Sequence, residues 1–174
     1  MVGTVEHLQL NVEEDVLYGG TNLGENLIRR MIFVSPSSSW SEAEERRRIF
    51  WTVFLMDRFC SISTGWKISL TNNDVKRRLP CEGALWQKGH ETQTPYFGIS
   101  ESKDTAINSV LNGPRSTDPD VEDAIGGFAY NIEATESLAL VANFFLHHAI
   151  IVSDAEKAQM WLMKFKELDL RLIQ

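Results

Sequence analysis

Apolar residues along this chain recur at three- and four-residue intervals, the spacing of one face of a helix. The pattern is clearest over residues 41–65, where Ile49, Phe50, Val53, Phe54 and Cys60 follow an acidic, serine-led start. Ser41 with Glu44 makes a capping box: the serine oxygen accepts from the Glu44 amide and the glutamate returns to the serine amide. Ser39 with Glu42 offers a competing register two residues earlier. Gly65 predicts the end, since glycine takes the left-handed conformation without a Cβ clash. Leu23, Leu27, Ile28 and Met31 predict a helix over 23–34, stopped by Pro36 and its flanking serines. From Asp120, the residues Val121, Ile125, Phe128, Ile132, Leu138, Val141, Phe145 and His148 fall near one face, with a candidate kink at Gly126-Gly127. Ser153 with Glu156 opens a last helix, in which Trp161, Leu162, Phe165, Leu168 and Leu172 are expected to be buried.

Between these helices the pattern weakens. Residues 1–20 are poorly patterned and break at Gly19-Gly20. The stretch 66–79 is short and mixed, with a turn at Asn72-Asn73-Asp74 and Pro80 closing it. Residues 82–119 read as a loop-rich connection, rich in glycine and proline, with a short helix at 103–111. No repeat and no strand-type alternation is visible. The expected fold is all-α, an irregular multi-helix domain over 1–174. Its apolar pattern is still running at Gln174, so the domain is expected to be incomplete at the C-terminus, with incompleteness at both ends as the alternative.

Composition narrows the class. A chain of 174 residues with 43% hydrophobic and 24% charged positions buries one core and is not a disordered tail. Charge is uneven: residues 1–90 balance, while residues 91–174 carry the whole formal charge of −7. Such a chain is expected to bind DNA poorly by itself, because non-specific binding is mostly lysine and arginine neutralising phosphate. Two cysteines, Cys60 and Cys81, make no disulfide framework, and a binuclear zinc cluster needs six. No secretory leader pattern is visible. The longest apolar run, 138–152, is broken by Asn143, His147 and His148 and falls short of the ~20 residues of a membrane helix.

Few positions suggest chemistry. Glu44-Glu45-Arg46-Arg47-Arg48 reads as a solvated helix face, since Glu42–Arg46 and Glu44–Arg48 are spaced to pair. Arg47 is therefore expected on the polar side, with Arg47→Ala costing well under 1 kcal/mol. Phe50→Ala is expected to cost roughly 3–5 kcal/mol. In Asp57-Arg58, amid apolar residues, Asp57 is read first as salt-bridging an arginine from another helix, then as facing solvent, and last as catalytic. His147-His148 cannot both face one ion, because adjacent helix positions point about 100° apart. No nucleophile–base pair or cofactor fingerprint is present, so no enzyme is expected. The aromatics Phe50, Trp51, Phe54, Phe59, Phe128, Phe144, Phe145, Trp161 and Phe165 are read as core, with a ligand pocket between the long helices as the alternative.

The ordered set Glu45-Arg46-Arg47-Arg48, Phe50-Trp51, Asp57-Arg58, Gly65 and Leu79-Pro80 resembles the fungal-specific transcription factor domain, the middle homology region of fungal zinc-cluster factors. The resemblance is strongest over 23–85, and is reinforced by IGGFAYNIEATESLALVANFFL (125–146) and WLMKFKELDLRL (161–172). It implies an all-helical regulatory domain in a nuclear protein that modulates RNA polymerase II transcription. Zinc and DNA would be held by an N-terminal cluster absent from this chain. The implied partners are transcription machinery or co-regulators, and a small-molecule effector, with no membrane. No heptad segment for dimerisation is visible. The missing cluster and the ending inside the last helix imply either a fragment or a short paralogue that lost DNA binding.

Overall fold

The structure is a computed structural model that describes residues 2–19, 33–98, 124–147 and 154–173. The expected helix over 103–111, residues 23–32 of the one expected over 23–34, and the stretch 120–123 lie outside the described residues, while residues 33–34 are not helical. Among the described residues the elements are helices: α1 (Val2–His7), α2 (Glu14–Gly19), α3 (Trp40–Thr64), α4 (Gly83–Gln87), α5 (Gly127–His147) and α6 (Ala155–Ile173), with a 3₁₀ turn at Asn72–Asp74. The all-α expectation is met. Strand-like pairing is confined to three isolated bridges, Val12–Lys76, Arg78–Tyr96 and Cys81–Ile125.

The central element is α3. Its start takes the earlier of the two registers: the Ser39 hydroxyl accepts from the Glu42 amide at 3.3 Å. Glu42 does not return to Ser39 but accepts from the Ser38 amide and hydroxyl, each at 2.8 Å. Glu44 is thereby freed for a different task, and the expected Ser41 box does not form. At the other end Gly65 has φ +72° and its amide donates to the Ser61 carbonyl, as a left-handed cap does.

Phe50, Trp51 and Phe54 are fully buried on the inner side of α3 and pack edge-on, with ring centroids 5.0 Å apart for Phe50–Trp51 and Trp51–Phe54. Leu70, Leu79, Ala129, Ile132 and Val5 complete the core. Burying each such phenylalanine contributes about 1.5–3 kcal/mol. The second long helix, α5, runs parallel to α3: Arg48 lies over Phe128, Arg58 pairs with Glu136, and Asn143 donates to Ser61 at 3.5 Å. Small Ala129 and Ala139, both buried, let the backbones approach. Leu138 and Phe145, expected inward, are exposed because Ile132, Glu136 and Ala139 define the face that meets α3.

Gly126-Gly127 does not kink a longer helix; α5 begins at Gly127. A Cβ on Gly126 would collide with the Glu82 carboxylate, where Glu82 donates its amide to Ala124. The poorly patterned N-terminal segment holds two short helices, α1 and α2, and the loop-rich connection contains the helical turn α4. All three are too short for a periodic signal to emerge. The last helix is capped by Asp154, whose carboxylate accepts from the Lys157 amide at 3.2 Å, one residue beyond the expected Ser153. Leu162 and Phe165 on α6 are exposed, against expectation. α6 meets α5 through Trp161, which stacks on Phe165 and touches Phe144, and through Phe165, which lies against Phe145.

Candidate functional site

The charged residues singled out by sequence converge on α3 as two buried networks that hold irregular chain. In the first, Arg47 bridges Glu13 and Glu44, and all three are buried. Glu44 also accepts from Arg48 Nε and from the Cys81 amide, both at 3.0 Å. Arg48 donates to the Cys81 carbonyl at 2.7 Å and lies 4.4 Å over the Trp86 ring. Glu13 accepts from the Arg78 amide at 3.2 Å, and Arg77 donates to the Val12 carbonyl at 2.8 Å. Trp51 Nε1 donates to the Arg78 carbonyl at 2.8 Å. A segment without sheet partners has unmet backbone groups, and these side chains meet them.

The second network centres on Arg58, nearly fully buried. It donates to Glu136 at 2.7 Å, Asp57 at 3.0 Å, the Leu70 carbonyl at 2.5 Å and Asn72 at 3.0 Å. Its guanidinium sits 3.7 Å over the Phe54 ring. Asp57 accepts from the amides of Ser69 and Leu70, each at 3.1 Å. The expected salt bridge from Asp57 to an arginine of another helix does not form: Arg58 makes the interhelical bridge, to Glu136, while Asp57 pairs with its neighbour Arg58 and accepts from the Ser69 and Leu70 amides.

Electrostatics follow burial. Burial disfavours the charge on Arg47, but Glu13 and Glu44 outweigh it and hold its pKa above the ordinary value. Arg77 is pushed down by burial. Burial, aided by Glu44, raises the Cys81 thiol to about 11, so it stays protonated and unreactive.

The remaining motif residues are also structural. Leu79 and Pro80 are buried against the core, and Gly65 caps α3. Arg46 pairs with Glu14 and Glu42. Glu45 faces solvent. The reading of 44–48 as a solvated face is corrected: the pairs Glu42–Arg46 and Glu44–Arg48 form, but Glu44 and Arg47 lie inside because Glu13 and the Cys81 amide arrive from distant segments. Arg47→Ala is therefore not a surface change. Phe59, Phe145 and Phe165 are exposed, a second correction, since the helices carrying them turn those faces away from the core. The side chain of His147 and all of His148 fall outside the described residues.

Sequence reasoning missed Glu13 and Glu136, each a lone carboxylate whose buried arginine is far away in the chain. The polar signal was present, but nothing in local spacing named the partner. Among the described residues, Phe50, Trp51, Phe54 and Phe97 pack against one another as core. The described residues include a cleft of about 20 Å³ beside Arg46 and Arg77, and an open polar trough of about 540 Å³ beside His7 and Phe33. No helix among the described residues is long and apolar enough to cross a membrane.

Residues 3–116 match the family described as the fungal specific transcription factor domain. The chain is 42% identical over 55 residues to the pigment biosynthesis transcriptional activator pigB of Monascus ruber, covering 32% of this chain and 10% of that protein. It is 36% identical over 73 residues to the tropolone cluster transcription factor tropK of Talaromyces stipitatus, covering 42% and 13%. It is 32% identical over 84 residues to the citrinin biosynthesis transcriptional activator mrl3 of Monascus ruber, covering 48% and 15%. The chain thus spans between a tenth and a sixth of these relatives' length. No solved structure matches. The matched span contains α3, the Glu13–Arg47–Glu44 network and the irregular segment it holds, together with Arg58 and Asp57 of the second network, and by that match the chain belongs to the fungal specific transcription factor domain family.

Proposed function

We propose that this chain is the regulatory region of a fungal zinc-cluster-type transcription factor. It modulates RNA polymerase II transcription in the nucleus through contacts with other proteins, not through catalysis. The observation that carries the reading is the use of the basic residues: Arg46-Arg47-Arg48, and Arg77 and Arg78 of the run Lys76-Arg77-Arg78, are spent within the fold, and Lys76 is exposed. Arg46, Arg47 and Arg48 are all paired with carboxylates. Arg77 is turned inward, and Arg78 donates to Thr94 and lies 4.5 Å over Tyr96. Of these runs Lys76 alone is left exposed, too little for a phosphate-binding surface, so DNA contact is assigned to a zinc cluster, which two cysteines cannot supply. The names of the relatives favour control of a biosynthetic gene cluster.

The test is a fungal reporter driven by a heterologous DNA-binding domain fused to residues 1–174. The fusion is expected to change reporter output relative to the DNA-binding domain alone, and Arg58→Met, which disrupts the fold, is expected to erase the change. Output identical to the unfused control would overturn the proposal. So would tight, salt-resistant DNA binding by the purified chain.

A further inference from the structure

α3 is apolar on two sides. Opposite its buried side, Ile49, Met56 and Phe59 are 49%, 44% and 69% exposed, with Thr52 and Cys60 exposed between them. The steps from Ile49 to Thr52, Met56 and Phe59 are three, four and three residues, the spacing of a coiled-coil seam. A single exposed apolar residue is ordinary, but a contiguous row on the best-packed helix is a binding surface.

The charges at its two ends indicate what it binds. Glu45 lies on the same row one turn before Ile49, and Lys67 follows the Gly65 cap, beside Trp66, which is 75% exposed. Both charged residues are exposed, and neither forms an ion pair with a described residue. Met56 sits midway in sequence between them. A two-fold rotation about Met56 therefore brings Glu45 of one copy to the Lys67 end of the other, twice over, and sets the helix dipoles antiparallel. A parallel pairing would oppose like charges at both ends. In the antiparallel register the bulky Phe59 falls beside the smaller Thr52 of the second copy. We propose that this outer face of α3 docks against the same face of a second copy of the chain, antiparallel, with Met56 at the axis.

Sedimentation equilibrium of the 174-residue chain is expected to show a concentration-dependent dimer. Met56→Glu, at an exposed position, is expected to abolish the dimer with helix content and melting unchanged. Glu45→Lys and Lys67→Glu are each expected to weaken association about tenfold, because two attractive pairs become repulsive, and their combination to restore it. Disulfide trapping reads the register. Met56→Cys in a Cys60→Ser background is expected to cross-link. Native Cys60 is not, since this register leaves the two copies of Cys60 about 12 Å apart along the axis. A chain that stays monomeric throughout would overturn the proposal. A dimer indifferent to Met56→Glu, or one linked readily through Cys60, would overturn it as well.

Discussion

The Arg58 guanidinium meets Glu136, Asp57, Asn72 and the Leu70 carbonyl while almost wholly out of water. A buried charge stripped of its main partner is costly, so Glu136→Leu is expected to destabilise the chain by about 3–5 kcal/mol in urea denaturation. Glu136→Gln, which retains an acceptor, is expected to cost less; equal losses would show that shape and not charge matters there. At the start of α3, Glu42 behaves differently. Its carboxyl is held at about 2, below the ordinary 4.5, by the Ser38 amide and hydroxyl and then by Arg46. The folded value lies below the unfolded one, so its stabilisation is complete above pH 4.5 and is lost as pH falls from there toward 2. A carbon-detected titration should place the Glu42 carboxyl midpoint near 2, together with loosening of the Ser38 amide. A midpoint above 4 would mean that the Ser38 contacts are absent in solution.

At the scale of elements, α3 combines an aromatic interior with a charged interior. Phe50→Ala is expected to cost about 3–5 kcal/mol, as for any fully buried phenylalanine. Arg47→Ala is now expected to cost a comparable amount, because it strands Glu13 and Glu44, both buried. Glu45→Ala, exposed, should fall within about 0.5 kcal/mol. Urea denaturation of the three variants decides it: an Arg47→Ala loss no larger than that of Glu45→Ala would sink the network. What was legible beforehand followed from periodicity. The helix, its glycine cap and the Phe50–Phe54 face all show in apolar spacing. The inner face of α5 shows only in part: Phe128 and Ile132 are marked by spacing, but Ala129, Glu136 and Ala139 share that face and none of them stands out as a core residue. Nor does hydrophobicity separate Ile49 from Phe50, adjacent residues of which one faces out and the other in. The burial of Glu44 is equally hidden: acid–base spacing looks the same on a surface, and only the arrival of residues 13 and 81 puts it inside.

Across the whole molecule, stability is concentrated where α3, α5 and the segment 69–98 share the core and both charged networks. Opening any part of that assembly exposes Phe50, Trp51 and Phe54 and strands buried ions, so it is expected to open only with global unfolding. α6 stands outside it. Its apolar residues Met160, Leu162, Met163 and Leu170 are exposed, and its contact with α5 is the aromatic cluster of Phe144, Phe145, Trp161 and Phe165. Little apolar surface is lost when such a helix lifts away, which sets a small free energy of local opening. Native-state hydrogen exchange is therefore expected to show two tiers. Amides of residues 50–61 should exchange at the rate of global unfolding, and should speed up in Glu136→Leu by the full loss of stability. Amides of 160–170 should exchange well before them and be nearly indifferent to that substitution. Trp161→Ala should act the other way, accelerating α6 while leaving α3 in place. If α6 proved as protected as α3, and equally sensitive to Glu136→Leu, the chain would be one cooperative unit and the two-tier account would be wrong.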